Sequence, residues 1–199
     1  MITENKHITN CYNSINHFFD SFNLQHASRH IQRSLLAAGS NKLWKGRYPA
    51  DLIHFFRRFK TLLDALIEIA DCECIRQNAV VKRDDKKQLP DIKNSNLFCS
   101  PFREYESWYC LPGHLSPNEF FNPYKALKKI VSHVEDTGEL LDTILQYALS
   151  NESFTDGNEE LDTLQLNSML QKLLEAAHLL YVRTGIISNE TKIGNNEAE

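Results

Sequence analysis

Two histidines spaced four residues apart are the first side chains in this sequence whose types and spacing could do chemistry. His26 and His30 fall on one face of a predicted helix, where two imidazoles could share a metal ion. No glutamate lies between them, and Arg29 and Arg33 alongside would repel a cation. We interpret the pair as solvent-facing histidines on a basic helix, and the sequence predicts no metal site there.

The cysteines form a second set of candidate metal ligands. Cys72 and Cys74 are separated by one residue, and Cys99, Cys110 and His114 follow at wider intervals. These gaps match no zinc ribbon or zinc finger. The chain has 5 cysteines, an odd number without framework spacing, which is typical of a reducing compartment. We therefore expect small half-buried thiols, with neither a metal nor a cofactor.

Arg47 and His54 form a third candidate pair at the start of a predicted long helix. Arg57 and Arg58 follow one turn after the histidine, so guanidinium groups could hold a phosphate while the imidazole moves a proton. This spacing resembles the R-x4–6-H motif of the HEPN family, all-α proteins of which many are metal-independent ribonucleases. The resemblance implies that Arg47 and His54 act on an RNA phosphodiester, usually in a dimer cleft. It covers only this motif, and Tyr48 stands where the family usually has a polar residue.

Charge is distributed unevenly along the chain, although the formal net charge is only −4. Residues 1–60 carry nine Lys and Arg against three Asp and Glu, whereas residues 134–199 carry three against thirteen. This asymmetry indicates an anionic partner for the first part, or attraction between the two parts. The candidate anion-binding or nucleic-acid-binding residues are Arg29, Arg33, Arg57 and Arg58.

Familiar catalytic and targeting motifs are missing from the sequence. It contains no P-loop and no GxGxxG, GxSxG or HExxH pattern. No apolar run approaches the roughly 18–20 residues that span a bilayer, and the first ten residues lack the pattern of a signal peptide. We therefore expect a cytoplasmic protein that has no membrane partner.

The helix that must position many of these residues is predicted over residues 51–74. Its apolar side chains recur every three or four positions, which places them in one stripe on a helix. The stripe comprises Leu52, Phe55, Phe56, Phe59, Leu62, Leu63, Leu66, Ile69 and Ala70. His54, Arg57 and Arg58 fall on the opposite, polar side. Pro49 is suited to the first turn, because its missing N–H would have no partner there.

Further helices are predicted on both sides of an irregular segment. The same periodicity and capping signals place them at residues 8–22, 24–38, 123–134, 139–149 and 161–183, with a short capped turn from Ser116. The predicted organisation is a first three-helix unit (1–74), an irregular connecting segment with clustered aromatics (75–115), a second three-helix unit (116–185) and a disordered tail (186–199).

The two three-helix units resemble each other in sequence. FKTLLDALIEIA at residues 59–70 aligns with LQKLLEAAHLLY at residues 170–181, and two upstream segments align at nearly the same offset. Tyr12 pairs with Tyr124 in this alignment. Three matches in the same order favour a tandem duplication. The predicted fold class is therefore all-α, a bundle of about six main helices built from two related units.

Function is predicted mainly from the abundance of amphipathic helices and the lack of a catalytic constellation. We expect a non-enzymatic interaction or regulatory protein that binds another protein or a second copy of itself. The alternative is a nucleic-acid-binding protein, or a HEPN-like ribonuclease, that uses the basic first unit.

Overall fold

The computed structural model shows an all-helical protein. The structure describes the main chain at residues 2–40, 43–46, 48–71, 113–131, 137–153 and 162–194, and most side chains between residues 8 and 182 of these ranges. Within them there are seven helices and no strand. They are α1 (Ile2–Ser21), α2 (Leu24–Ala38), α3 (Pro49–Asp71), α4 (Pro117–Phe121), α5 (Pro123–Val131), α6 (Thr137–Ala148) and α7 (Thr163–Gly194).

Helix α3 confirms the predicted stripe. All nine of its predicted apolar residues are buried, and the polar side that carries His54, Arg57 and Arg58 is exposed. Residues of this stripe stack along the helix, with the rings of Phe55 and Phe59 5.6 Å apart and nearly parallel. The helix begins at Pro49, as the missing N–H of proline predicted.

Helix α2 has the predicted ends. The side chain of Asn23 accepts the N–H of His26 and thereby satisfies one of the unpaired donors of the first turn. The N–H of Gly39 closes the last turn on the carbonyl of Leu35. The apolar face of this helix is buried from Leu24 to Ala38.

The short α4 is set by its capping box. The hydroxyl of Ser116 accepts the N–H of Glu119, and the Glu119 carboxylate accepts the N–H of Ser116 in return. Lys172 of α7 lies 3.6 Å from the same carboxylate. Partial burial by itself would raise the pKa of Glu119, but the capping hydrogen bonds with Ser116, followed by the charge of Lys172, lower it below its ordinary value. The capping box predicted at Ser116 is confirmed.

Two helix ends differ from the sequence prediction. Helix α1 begins at Ile2 rather than at Ile8, and α7 runs to Gly194 rather than ending before Gly185. A single glycine inside a helix costs only about 1 kcal/mol relative to alanine, so Gly185 need not end one. Residues 195–199 and 72–112 lie outside the described residues. The second range covers most of the predicted connecting segment (75–115), with its aromatic cluster, and four of the cysteines.

The described helices share one hydrophobic core. Helix α1 packs against α3 and α7, α2 packs against α6 and α7, and α3 also contacts α5 and α6. The second long helix, α7, lies against α1, α2 and α5. No described helix is both long enough and apolar enough to cross a membrane.

Candidate functional site

An open groove lies where α2 ends and the chain turns towards α3. Its volume is about 450 Å³, and its walls come from the last turns of α2 and from residues 43–45. We define the α2 groove by Arg33 and Leu36 on the helix and by Leu43, Trp44 and Lys45 on the turn. The N–H of Gly39 closes the last turn of α2, and residues 43–45 lie beside that end of the helix.

Trp44 fixes the turn side of the α2 groove. Its main-chain N–H donates to the carbonyl of Ala148 at the end of α6. Its ring is partly buried and lies over Gly46, where a Cβ atom would come within 1.6 Å of the indole. The indole N–H is buried and has no hydrogen-bond partner among the described residues. A buried donor without a partner costs about 1–3 kcal/mol, so the packing contacts of this ring have to offset that loss.

Two leucines make the walls of the α2 groove apolar. Leu36 is 73% exposed and Leu43 is 50% exposed, although most leucines in the described part of the chain are buried. A single exposed leucine needs no explanation, but two beside a tryptophan and a groove form a surface that water solvates poorly. Leu164 is 80% exposed at the start of α7, and the adjacent Thr163 lies beside Gly39. The exposed leucines are therefore concentrated at one end of the bundle.

The charges around the α2 groove are positive. Arg33 and Lys45 line it, and none of the described residues of its lining is acidic. The carbonyls of the last turn of α2 are engaged, since Leu35 accepts the N–H of Gly39 and Leu36 accepts the hydroxyl of Ser40. The negative end of the helix dipole is thus partly satisfied within the protein. Arg33 and Lys45 consequently set the charge of this surface.

A cluster of aromatic rings and histidines lies beside the α2 groove. His30 stacks on Phe55 at 4.8 Å, and its ring centroid lies 6.2 Å from that of Trp44. Burial, followed by the nearby charges of His26 and Arg33, lowers the pKa of His30 below 6.5. Only His26 of the predicted solvent-facing pair is exposed, so the prediction was wrong for His30. It failed because Phe55 and Trp44, which cover His30, come from other parts of the chain.

Metal binding finds no support in the described residues. No group of three or more His, Cys, Asp or Glu side chains there is arranged to hold a metal ion. The histidines of α2 contact each other and aromatic rings, with the centroids of His26 and His30 6.3 Å apart. Cys72 and its neighbouring candidate ligands up to Cys110 lie outside the described residues.

Arg29, Arg33, Arg57 and Arg58, which we call the arginine set, lie on α2 and α3. All four side chains are exposed, and none forms an ion pair with another described residue. Among the residues that the structure describes, the basic and acidic parts are joined at these helices by the ion pair of Lys60 with Asp142, at 2.7 Å. The positive charge of the arginine set is therefore not consumed by carboxylates in the described part of the chain.

The Arg47–His54 pair is only half described. His54 is exposed on α3, and its ring lies 5.9 Å from that of Phe22. Arg57 and Arg58 follow it on the exposed side of the same helix. Arg47 lies outside the described residues, so the structure gives no geometry for the pair.

Glu175 is a buried carboxylate that the sequence did not single out. It accepts the main-chain N–H groups of Gly113, His114 and Leu115 at 2.9, 2.9 and 3.1 Å, and His114 Nδ1 lies 2.8 Å away. These hydrogen bonds tie the segment before α4 to the middle of α7. Their geometry satisfies the carboxylate completely from within the chain, so Glu175 has a structural role.

Sequence reasoning missed Leu36, Leu43 and Lys45 as site residues. Leu36 offered a signal, because it falls beside the buried stripe of α2 rather than within it. Leu43 and Lys45 offered none, since their importance depends on how the turn folds against α2.

Comparison with known proteins found no matching family model, no matching curated protein and no matching solved structure.

Proposed function

We propose that this protein is a non-catalytic interaction module and that it binds a partner protein in the α2 groove. The observation that carries the proposal is the exposure of Leu36 and Leu43 on either side of the groove. Burying apolar surface is favourable by about 25 cal/mol per Å², and peptide-binding grooves use this effect to hold a few anchor side chains. Trp44 adds an aromatic wall, the residue type most often found at binding hot spots.

Peptide display tests this function directly. A random peptide library is selected on the wild-type protein and on the double variant Leu36→Asp with Leu43→Asp. Both leucines are exposed, so the variant should fold normally. We expect peptides that are enriched on the wild type and lost on the variant. A matched control, Asn10→Asp with Asn13→Asp, adds the same charge on the exposed side of α1 and should keep binding. Equal enrichment on all three proteins would refute the proposal.

A second candidate function is nucleic-acid binding through the arginine set. It is favoured by the exposure of the four side chains and by their lack of described carboxylate partners. If all four contact phosphates of single-stranded RNA, log K should fall with log salt with a slope of about −3. Replacing the set with glutamine should abolish retention on RNA and heparin while leaving folding unchanged. No retention of the wild type at low salt would exclude this function.

The HEPN-like alternative adds chemistry to the same surface. It requires His54 to move a proton while Arg47 holds the phosphate, as the resemblance implies. Its support is the exposure of His54 beside Arg57 and Arg58. The test is RNA cleavage in the presence of a chelator: wild-type activity that His54→Ala removes would favour a ribonuclease, and no wild-type cleavage would exclude one.

We also propose that the chain arose by tandem duplication of a three-helix unit. The support is the pattern of helix contacts, which is largely retained when α1, α2 and α3 are exchanged with α5, α6 and α7. For example, α1 contacts α3 as α5 contacts α7, and α3 contacts α5 as α7 contacts α1. The hydroxyls of Tyr12 and Tyr124, an aligned pair, lie 3.2 Å apart, as expected for equivalent residues beside a pseudo-twofold axis.

Superposition of residues 8–72 on residues 121–183 in a crystal structure tests the duplication. Three helices should come into register, with Leu63 over Leu174. Different helix order or crossing angles in the two halves would show that the sequence match reflects only the leucine content of two buried helices.

A further inference from the structure

We infer that the partner segment bound in the α2 groove is acidic as well as apolar: a short amphipathic helix with leucine-like anchors and flanking carboxylates. This inference rests on the proposed function and specifies the chemistry of its partner. Three features of the α2 groove carry it: the exposed leucines, the charge of its rim and its shape.

Charge complementarity indicates the sign of the partner's charge. Arg33 and Lys45 both line the α2 groove, and neither pairs with a described carboxylate. Asp162, the N-cap of α7 at the same end of the bundle, is engaged with the N–H groups of Leu164 and Gln165. A basic partner would bring like charges together without a compensating acid in the lining. An acidic partner would form two rim ion pairs and associate faster at low salt.

Shape decides the form of the partner. A volume of about 450 Å³ would suit a small molecule in an enclosed cavity, but the high exposure of Leu36 shows that this groove is open to water. An open apolar groove along the end of a helix matches side chains that project from one face of a second helix at positions i, i+3 and i+4. Two or three such anchors would cover Leu36, Leu43 and the exposed edge of Trp44.

The same residues distinguish an acidic helical partner from a nucleic acid. Phosphate backbones need positive charge but gain nothing from exposed leucines, whereas an acidic amphipathic helix uses both. Two other members of the arginine set, Arg57 and Arg58, are exposed on α3 and do not line the α2 groove. They therefore serve as an internal control for general electrostatic attraction.

Fluorescence titration tests the inference, because the chain has only 2 tryptophans. In a Trp108→Phe background, emission reports on Trp44. The probe is a synthetic amphipathic helix of leucine and glutamate, and its control has lysine in place of every glutamate. We expect the acidic peptide to bind and the basic one to bind at least about tenfold more weakly, with the difference shrinking as salt is added.

Charge reversal of the protein provides the decisive comparison. Arg33→Glu with Lys45→Glu should lower the affinity for the acidic peptide by about tenfold and raise the affinity for the basic peptide. Arg57→Glu with Arg58→Glu should change either affinity by less than about threefold. Circular dichroism confirms that each variant is folded.

Three results would overturn the inference. Equal effects of the two charge reversals would mean that the attraction is general. Binding of neither peptide, while display still yields groove-dependent neutral or basic sequences, would keep the proposed function and reject its acidic partner. Concentration-dependent dimerisation that Arg33→Glu with Lys45→Glu abolishes would show that a second copy occupies the α2 groove.

Discussion

Removing the Glu175 carboxylate should loosen the junction between α7 and the segment before α4. Three main-chain N–H groups and one imidazole nitrogen converge on this side chain, which is 6% exposed. Hydrogen bonds to a charged group contribute roughly 1.5–3 kcal/mol each, so the three amides give an upper limit well above 4 kcal/mol. Gly113 and His114 are at the surface, where water can replace part of the loss. We therefore expect Glu175→Ala to cost about 2–4 kcal/mol.

Two assays separate the local effect from the global one. Urea unfolding at neutral pH gives the free energy of unfolding, provided that the slope is unchanged. Amide hydrogen exchange at Gly113, His114 and Leu115 should accelerate in the variant, because their acceptor has gone. Asp64→Ala is the matched control: Asp64 aligns with Glu175 in the duplication but is exposed on α3, and its loss should cost less than about 0.5 kcal/mol.

Glu175→Gln separates shape from charge. The amide keeps one acceptor oxygen but turns an NH2 group towards the main-chain donors. Glu175→Gln should therefore cost about as much stability as Glu175→Ala, and the pattern of amide hydrogen exchange should be similar in the two variants. If Glu175→Ala lost no more stability than Asp64→Ala and the three amides kept their protection, the hydrogen bonds to Glu175 would not hold this segment to α7.

Three further predictions concern the core, the pH response and the α2 groove. Leu63→Ala should cost on the order of 2–5 kcal/mol by urea unfolding, because Leu63 is buried in α3, and a loss below about 1 kcal/mol would contradict its place in the core. Burial lowers the pKa of His178 to about 4, from 6.5, so the unfolded chain binds a proton that the folded chain does not; stability should fall between pH 6.5 and 4, by at most about 3 kcal/mol from this group. His178→Phe should remove that part of the pH dependence, measured as the difference between the two urea-unfolding profiles. Gly46→Ala should displace the Trp44 ring and shift its emission in the Trp108→Phe background, since the added Cβ would overlap the indole; an unchanged spectrum would show that the ring does not lie over Gly46.

The sequence was sufficient to predict structure where one element alone decides it. All nine predicted residues of the α3 stripe are buried, because burial there repeats with the helix period over many turns, and only the buried Ala65 was left out of the prediction. Asn23, Gly39 and Ser116 were recognised as helix ends because capping hydrogen bonds are local. The start of α1 was missed because no capping signal was recognised before Ile8, and the end of α7 was predicted too early because Gly185 lies inside the helix.

The candidate site could not be predicted to the same extent, because it depends on contacts between distant segments. His30 is covered by Phe55 of α3 and by Trp44, so its burial has no local signature. Leu36 falls beside the buried stripe of α2, but only the turn at Leu43 makes it part of a groove. The basic residues of the arginine set were recognisable by type, but whether carboxylates cover them is a property of the folded chain.

One hydrogen bond between distant residues bears on how this chain is made in the cell. The side chain of Gln171 in α7 donates to the carbonyl of Ser28 in α2 at 3.1 Å. Helix α2 thus packs against a residue that lies 143 positions later in the sequence. A ribosome adds about 5–20 residues per second, which leaves the buried face of α2 without α7 for roughly ten seconds or more. The folded chain buries Ala27, Ile31 and Leu35 on this helix, and the part of its apolar face that contacts α7 lacks its partner during that interval. Synthesis of this protein therefore includes a window in which a chaperone would have an apolar helix face to hold.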